Sequence, residues 1–336
     1  MEGNYNAIDV VKVLMACVVV AIHTHPESDL DNLFVSKIVE CLYSIAVPFF
    51  FVVSGFFLSN KIKEHDHETK ISYIQRWLYR IVRLYLIWTL IYLPYAVYGF
   101  IGDDLSWEKS LYVYFRNVIL VGENYLSWPL WYLLAMIVSG CIFYIMIKFR
   151  IKEGYMLGIA LCLAVICPFI ETKRSSEVGD LYFSLFKTTR NGFFVGFPYM
   201  MIGYLMIKPI LREYNVCWSF LLLLISFVLM MNDVPMANFV AVYALVVCLL
   251  SSPSWTSSRL FSHLQDYLSA GGMFRNFRLA STVIYFVHML YVGIFLLITP
   301  NMEGAYLFAS VLICCIFTSI LVVNNRSNGY MKLLFE

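Results

Sequence analysis

The chain has 336 residues, 61% of them apolar and only 14% charged, against roughly 25% charged in an average soluble domain. That composition excludes a soluble enzyme. The formal charge of +2, on 24 Lys and Arg against 22 Asp and Glu, is too small, and its cations too dispersed, for a nucleic-acid partner. Length alone would suggest about two domains, yet apolar runs recur from Ile8 to Asn324 without a polar block long enough to fold separately. Residues 1–336 therefore read as a single integral-membrane domain.

A bilayer core takes about 20 mostly apolar residues per helix. In chain order the candidates are 8–25, 41–60, 83–101, 128–148, 155–171, 190–208, 216–231, 236–250, 279–299 and 305–323, the division inside 216–250 resting on Asn232, Asp233 and Pro235. The fold class is an all-α polytopic membrane bundle of about ten transmembrane helices. Lys12 interrupts the first run and no small-residue cleavage site follows, so that run is expected to stay as a helix rather than be removed as a signal. Lys and Arg gather in the loops that an inside N-terminus would place in the cytoplasm, which predicts cytoplasmic termini. Segments 105–121 and 259–278 mix aromatic, aliphatic and charged positions at helical spacing and are expected to lie along the membrane surface. The nine cysteines lie inside apolar runs or, for Cys41, at the edge of one, without a C-x-x-C spacing, and read as small core residues. No glycine loop that would cradle a nucleotide is present, which argues against an ATP-driven pump.

Ionisable groups at membrane depth are costly and mark functional candidates. Lys12 and His23 stand eleven residues apart on the first helix, three turns and about 16 Å of rise, on one face. Asp9, three residues before Lys12, is placed to pair with it. A neutral imidazole accepts a proton near pH 7, as a base acting on a hydroxyl must; the plainer alternative is a hydrogen-bonded core histidine. His25, followed by Pro26, reads as an outer-boundary residue. Ser54 and Gly55 interrupt a bulky aromatic run, where Gly admits a ligand or simply packs helices. Arg80 and Arg83, three residues apart at the inner mouth of the third helix, suit an anionic phosphate ligand; ordinary positive-inside topology accounts for them equally. Trp131 and Tyr132 open the fourth helix at the outer interface, with Glu123 and Asn124 just before it, and His288 sits near the middle of the ninth. Glu64-His65-Asp66-His67-Glu68 has metal-ligand composition but no H-x-x-x-H or cysteine spacing, so a solvated loop is expected and no metal site.

These signals fall in an order that resembles the acyltransferase-3 family of multi-pass bacterial membrane proteins. An acidic residue, a basic one three residues later, ten residues and a histidine are Asp9, Lys12 and His23. An aromatic run ends in Ser54, Gly55 and Phe56. An R-x-x-R pair is Arg80 and Arg83, a W-Y-L is Trp131, Tyr132 and Leu133, and a late Y-x-x-H is Tyr285 and His288. The family usually carries arginine where this chain has Lys12, and lysine keeps the charge without the planar two-pronged donor. The opening is also similar to the membrane half of membrane-bound serine racemases; with no racemase domain after Glu336 in the sequence, racemisation is not expected.

The resemblance implies transfer of an acetyl or other short acyl group from cytoplasmic acyl-CoA to a hydroxyl of an extracytoplasmic glycan, lipid-linked sugar or related acceptor, in a bacterial inner membrane. His23 is then the general base, with Lys12 and Asp9 completing the catalytic set. Arg80, Arg83, Ser54 and Gly55 hold the donor, Trp131, Tyr132, His288 and Glu123 hold the acceptor, and no metal takes part. The rival reading is a permease for a small polar solute, including an amino acid such as serine.

Overall fold

The computed structural model describes residues 5–29, 32–103, 105–207, 216–250 and 272–336. Every regular element among them is helical. Seven helices are long and apolar enough to cross a membrane, and three shorter apolar segments, Gly192–Leu205, Cys217–Met231 and Ala237–Leu250, coincide with the other three expected spans.

Helix α1 (Asn6–Thr24) runs through apolar positions free of Gly and Pro and stops at His25, whose left-handed backbone (φ 48°, ψ 55°) returns its N–H to the Ala21 carbonyl ahead of Pro26. A 3₁₀ turn, Pro26–Asp29, follows. Helix α2 (Leu33–Ile62) begins eight residues earlier than expected. Asn32 accepts from the Phe34 and Val35 amides and starts it. The polar positions that hid its first turns have tertiary tasks: Lys37 reaches Asp233 at 2.7 Å. The Ser54-Gly55 step leaves the helix uninterrupted.

Helix α3 (His67–Gly102) also begins earlier than expected, because Asp66 caps it by accepting from the Glu68 and Thr69 amides. Lys70, Arg76 and Arg80, expected in a loop, therefore lie on the helix, and Glu64 to Asp66 form the exposed turn before it. Helix α4 (Trp107–Arg116) continues into a π-helical turn, Asn117–Val121, and a 3₁₀ turn, Tyr125–Ser127, precedes α5 (Leu130–Lys148). Helices α6 (Glu153–Thr172) and α7 (Glu177–Phe186), a second π turn (Gly192–Gly196) and α8 (Phe197–Leu205) come next. Helix α7 has no counterpart among the expected segments.

Helices α9 (Val216–Met231) and α10 (Ala237–Leu250) divide at Asn232 to Met236, where polar residues and positive φ at Asp233 and Met236 break the run. Helix α11 (Met273–Ile298) overturns one boundary: residues 273–278, expected on a surface segment, are its first turns. The rest of that segment, 259–271, lies outside the described residues, as do Lys208 and Arg212. Helices α12 (Gly304–Asn324) and α13 (Gly329–Phe335) complete the chain.

Two compact units result, one of residues 1–56 and 205–335, the other essentially 57–204. In the first, α11 packs against α1 and α12, and α9 pairs with α10. Ala16 and Val20 of α1 and Val283 of α11 are completely buried, as suits helices that associate by close van der Waals approach. In the second, α3 packs on α5, which also meets the second π turn; Ser139 donates to the Ala135 and Gly192 carbonyls there, at 2.7 and 3.0 Å. The helix lengths and apolar faces make this a multi-pass membrane protein.

Candidate functional site

In the first unit α1 and α11 bring two histidines face to face. The His23 and His288 rings stack with centroids 5.3 Å apart and planes 26° from parallel. His23 is partly exposed, whereas His288 is completely enclosed. His288 Nδ1 lies 3.1 Å from the Ile284 carbonyl. A carbonyl can only accept, so Nδ1 carries the proton and the neutral ring keeps its lone pair on Nε2. That Nε2 is buried and has no hydrogen-bond partner among the described residues. Buried polar atoms are nearly always satisfied, so this nitrogen marks His288 as a candidate for the site. Tyr285, one turn back, packs against His288 at 6.2 Å and against Phe50 of α2 at 6.4 Å. The late Y-x-x-H and the aromatic run of α2 thus meet beside the first helix.

About four turns toward the start of α1 from His23, Asp9 is buried and joined by two cations. Lys12 Nζ lies 3.6 Å from its Oδ1, the expected pairing. Arg278 of α11 supplies what the sequence did not foretell: Nε donates to Oδ1 at 3.2 Å and Nη2 to Oδ2 at 2.8 Å. The planar fork missing at position 12 is here provided from α11. Its sequence signal was an arginine three residues after Arg275, at the head of the span that carries Tyr285 and His288. Phe56 is buried and meets Tyr5 edge to face at 5.1 Å, which puts Ser54 and Gly55 toward the Asp9 end of α1 rather than the His23 end.

The remaining candidates belong to the second unit. Arg80 is exposed on α3, and Arg83 is partly buried with Nε lacking a hydrogen-bond partner among the described residues. Trp131 and Tyr132 lie in the first turn of α5, and the Arg190 guanidinium sits 5.8 Å from the Trp131 ring. Burial pushes the Glu123 carboxyl above the usual carboxylate range, against the opposing pull of Arg190 and Lys187. Burial likewise lowers Lys187, aided by Arg116. The π turn before Glu123 is fixed by a buried amide pair, Asn117 donating to Asn124 at 2.9 Å, with Arg116 donating to the same Asn117 oxygen at 2.8 and 3.2 Å. Gly122 follows with φ 86°, and a Cβ there would fall 2.6 Å from the Trp131 Cα. Only glycine fits that approach. Arg116 and Lys187 escaped the sequence reading because their meeting depends on two π turns, which leave no simple periodicity.

His25, read as a boundary residue, is the exposed cap of α1; its Nδ1 lies 3.1 Å from Glu27 Oε1, and Tyr43 donates to the other oxygen of Glu27. Asp29, at the end of the same loop, accepts from the Ala305 amide at 2.8 Å and occupies the space a side chain at Gly304 would need.

Known proteins give this arrangement a family. The chain is similar to an amino-acid racemase of Enterococcus faecalis, 26% identical over 168 residues that make up 49% of this chain and 23% of the relative. A second amino-acid racemase of the same organism is 28% identical over 61% of this chain and 29% of its own length. A serine/alanine racemase of Enterococcus gallinarum is 27% identical over 60% and 29%. The chain thus spans less than a third of the curated relatives it matches. No solved structure matches it. The acyltransferase-3 family model, described as an acyltransferase domain, matches residues 5–323, nearly the whole chain, and the protein belongs to that family of membrane acyltransferases.

Proposed function

We propose that the protein moves an acetyl or other short acyl group from acyl-CoA to the hydroxyl of an extracytoplasmic glycan, lipid-linked sugar or related acceptor, in a bacterial inner membrane. The observation that carries the reading is the stacked His23–His288 pair with an unpartnered buried nitrogen, on helices whose inner ends share Asp9. His23 takes the proton from the acceptor hydroxyl, and the oxygen attacks the thioester carbonyl. The C–S bond breaks, the coenzyme A sulfur leaves with its electron pair, and the imidazolium returns the proton to it. General-base assistance of this kind contributes roughly 10²–10⁴ in rate. His288, its proton fixed on Nδ1, offers Nε2 to a hydrogen bond from the acceptor. Asp9 holds Lys12 and Arg278 in place at the other end of α1. Arg80 and Arg83, with five N–H donors each, bind donor phosphate oxygens, Ser54 and Gly55 border the donor's arm, and Trp131, Tyr132 and Glu123 contact the acceptor. Acyl-CoA is a substrate here, and the chemistry needs no metal. Family membership does not favour the permease reading.

The test is free-thiol release by the purified protein with acetyl-CoA and a panel of envelope acceptors. His23→Ala should abolish acceptor-dependent release while the protein stays folded in the membrane, and normal turnover by that variant would end the proposal. Replacing Arg80 and Arg83 by Gln should raise the acetyl-CoA concentration needed for half-maximal rate.

A further inference from the structure

Helices α1 and α11 meet at two polar points, Asp9 with Arg278 near their starts and His23 with His288 farther along. Both residue numbers rise from the first point to the second, so the helices run parallel. Between those points the buried positions of α1 are small or aliphatic, among them Ala16, Val19, Val20 and Ala21. Ser281 of α11 turns its hydroxyl back to the Arg278 carbonyl of its own helix, at 2.8 Å. Smooth surfaces of this kind pack closely at more than one axial setting, and a polar contact across the seam is what selects among them.

The Asp9 contact is built for that selection. Two parallel N–H···O bonds, at 3.2 and 2.8 Å, fix both the position and the rotation of one helix against the other. Lys12 lies on the same helix as Asp9 and says nothing about where α11 sits. From Asp9 to His23 is fourteen residues, about 21 Å of rise, and from Arg278 to His288 is ten, about 15 Å. With the histidines level, Arg278 therefore starts about 6 Å short of Asp9. Helical side chains lean toward the N-terminus, and the long arginine covers the shortfall in that direction. Neither stretch contains Gly or Pro, so each is an unbroken rod and a setting imposed at one end reaches the other.

We propose that Arg278 is a positioning residue of the acyltransferase: its two-pronged hold on Asp9 sets the one axial register of α11 on α1 in which His288 faces His23. The proposal rests on the reading of the histidine pair as the catalytic centre. Arg278 touches no reacting atom and acts through His288.

The experiment uses the full chain in nanodiscs, with thiol release from acetyl-CoA and side-chain 15N spectra of histidine-labelled protein, the two rings being assigned by His23→Ala and His288→Phe. In Arg278→Gln the shorter side chain stops short of Asp9, which keeps Lys12 as its counter-ion. Its kcat should fall by about 10²-fold, the cost of a misplacement of about 1 Å, with the KM for acetyl-CoA unchanged. The signals of both histidines should shift. Arg278→Lys keeps the charge and the reach with a single point of contact, should recover part of the loss, and serves as the second variant if Gln fails to fold. The double variant Arg278→Gln/His288→Phe should be no slower than His288→Phe alone, because a ring without Nε2 has nothing left to position. Normal turnover by His23→Ala and His288→Phe would end the acyl-transfer reading, while the histidine spectra of Arg278→Gln would still decide whether Arg278 sets their register. A loss that adds in full to that of His288→Phe, or histidine signals unchanged in a folded Arg278 variant, overturns the proposal.

Discussion

Replacing His288 by Phe separates a chemical role from a packing role. The Nε2 atom is enclosed without a hydrogen-bond partner among the described residues, a condition costing about 1–3 kcal/mol, and Phe removes it. The change also loses the Nδ1 donation to Ile284, worth about 0.5–1.5 kcal/mol. An aromatic ring of similar size stays available to stack on His23, which sits 5.3 Å away. The balance lies between about −0.5 and 2.5 kcal/mol in favour of the variant, a change in Tm from about −1 to about +4 °C for a chain of this size. Thiol release from acetyl-CoA should nevertheless fall by about 10²-fold, the cost of misplacing by about 1 Å an acceptor that Nε2 no longer orients through one of its other N–H or O–H groups. The two measurements are made on one preparation in one detergent. Undiminished turnover, or a Tm lowered by several degrees, would return His288 to an ordinary core role and refute the reasoning.

Glu123→Gln tests the outer cluster through pH. Burial raises the Glu123 pKa in the folded state, with Arg190 and Lys187 opposing, so the native protein holds this proton more tightly than the unfolded chain. The stability it contributes is present below the unfolded value of about 4.3 and is lost as pH rises through the elevated folded value. The Gln variant should therefore melt higher than the wild type at pH 7 to 8 and together with it near pH 4; a difference that ignores pH would contradict the assignment. Gly122→Ala should destabilise by about 3 kcal/mol, about 1–2 from the left-handed backbone and the rest from the clash with the Trp131 backbone. Thermal unfolding within about 2 °C of the wild type would show that the approach of 122 to 131 is not tight.

The sequence located the spans well where hydrophobicity was continuous and poorly where a helix left the apolar run. The starts of α2 and α3 were missed because Ser36, Lys37, Glu40, Lys70 and Arg76 read as loop residues, while the Asn32 and Asp66 caps satisfy their first amides. The same error hid Arg278: a charged turn before an apolar span looks like an interfacial segment, although it continues the span's helix. The Asp9–Lys12 pairing was legible because three residues on one helix face each other whatever the fold does. Arg278, 269 residues from Asp9 in the chain, obeys no such local rule. The short α7 and the π turns at 117–121 and 192–196 lack the length or period that hydrophobicity analysis detects.

Composition alone required a membrane protein, since helices this apolar must bury their backbone hydrogen bonds internally and their side chains in lipid or in one another. Helical spacing alone set Lys12 and His23 on one face of α1. Which helix came to lie against that face was a tertiary outcome: α11 packs on α1, so His288 stacks on His23 and Arg278 clasps Asp9. In a bundle of nearly uniform apolar surface, partner choice rests on close packing and on a few buried polar contacts. These are properties of pairs of distant residues, and they take form only when the helices meet.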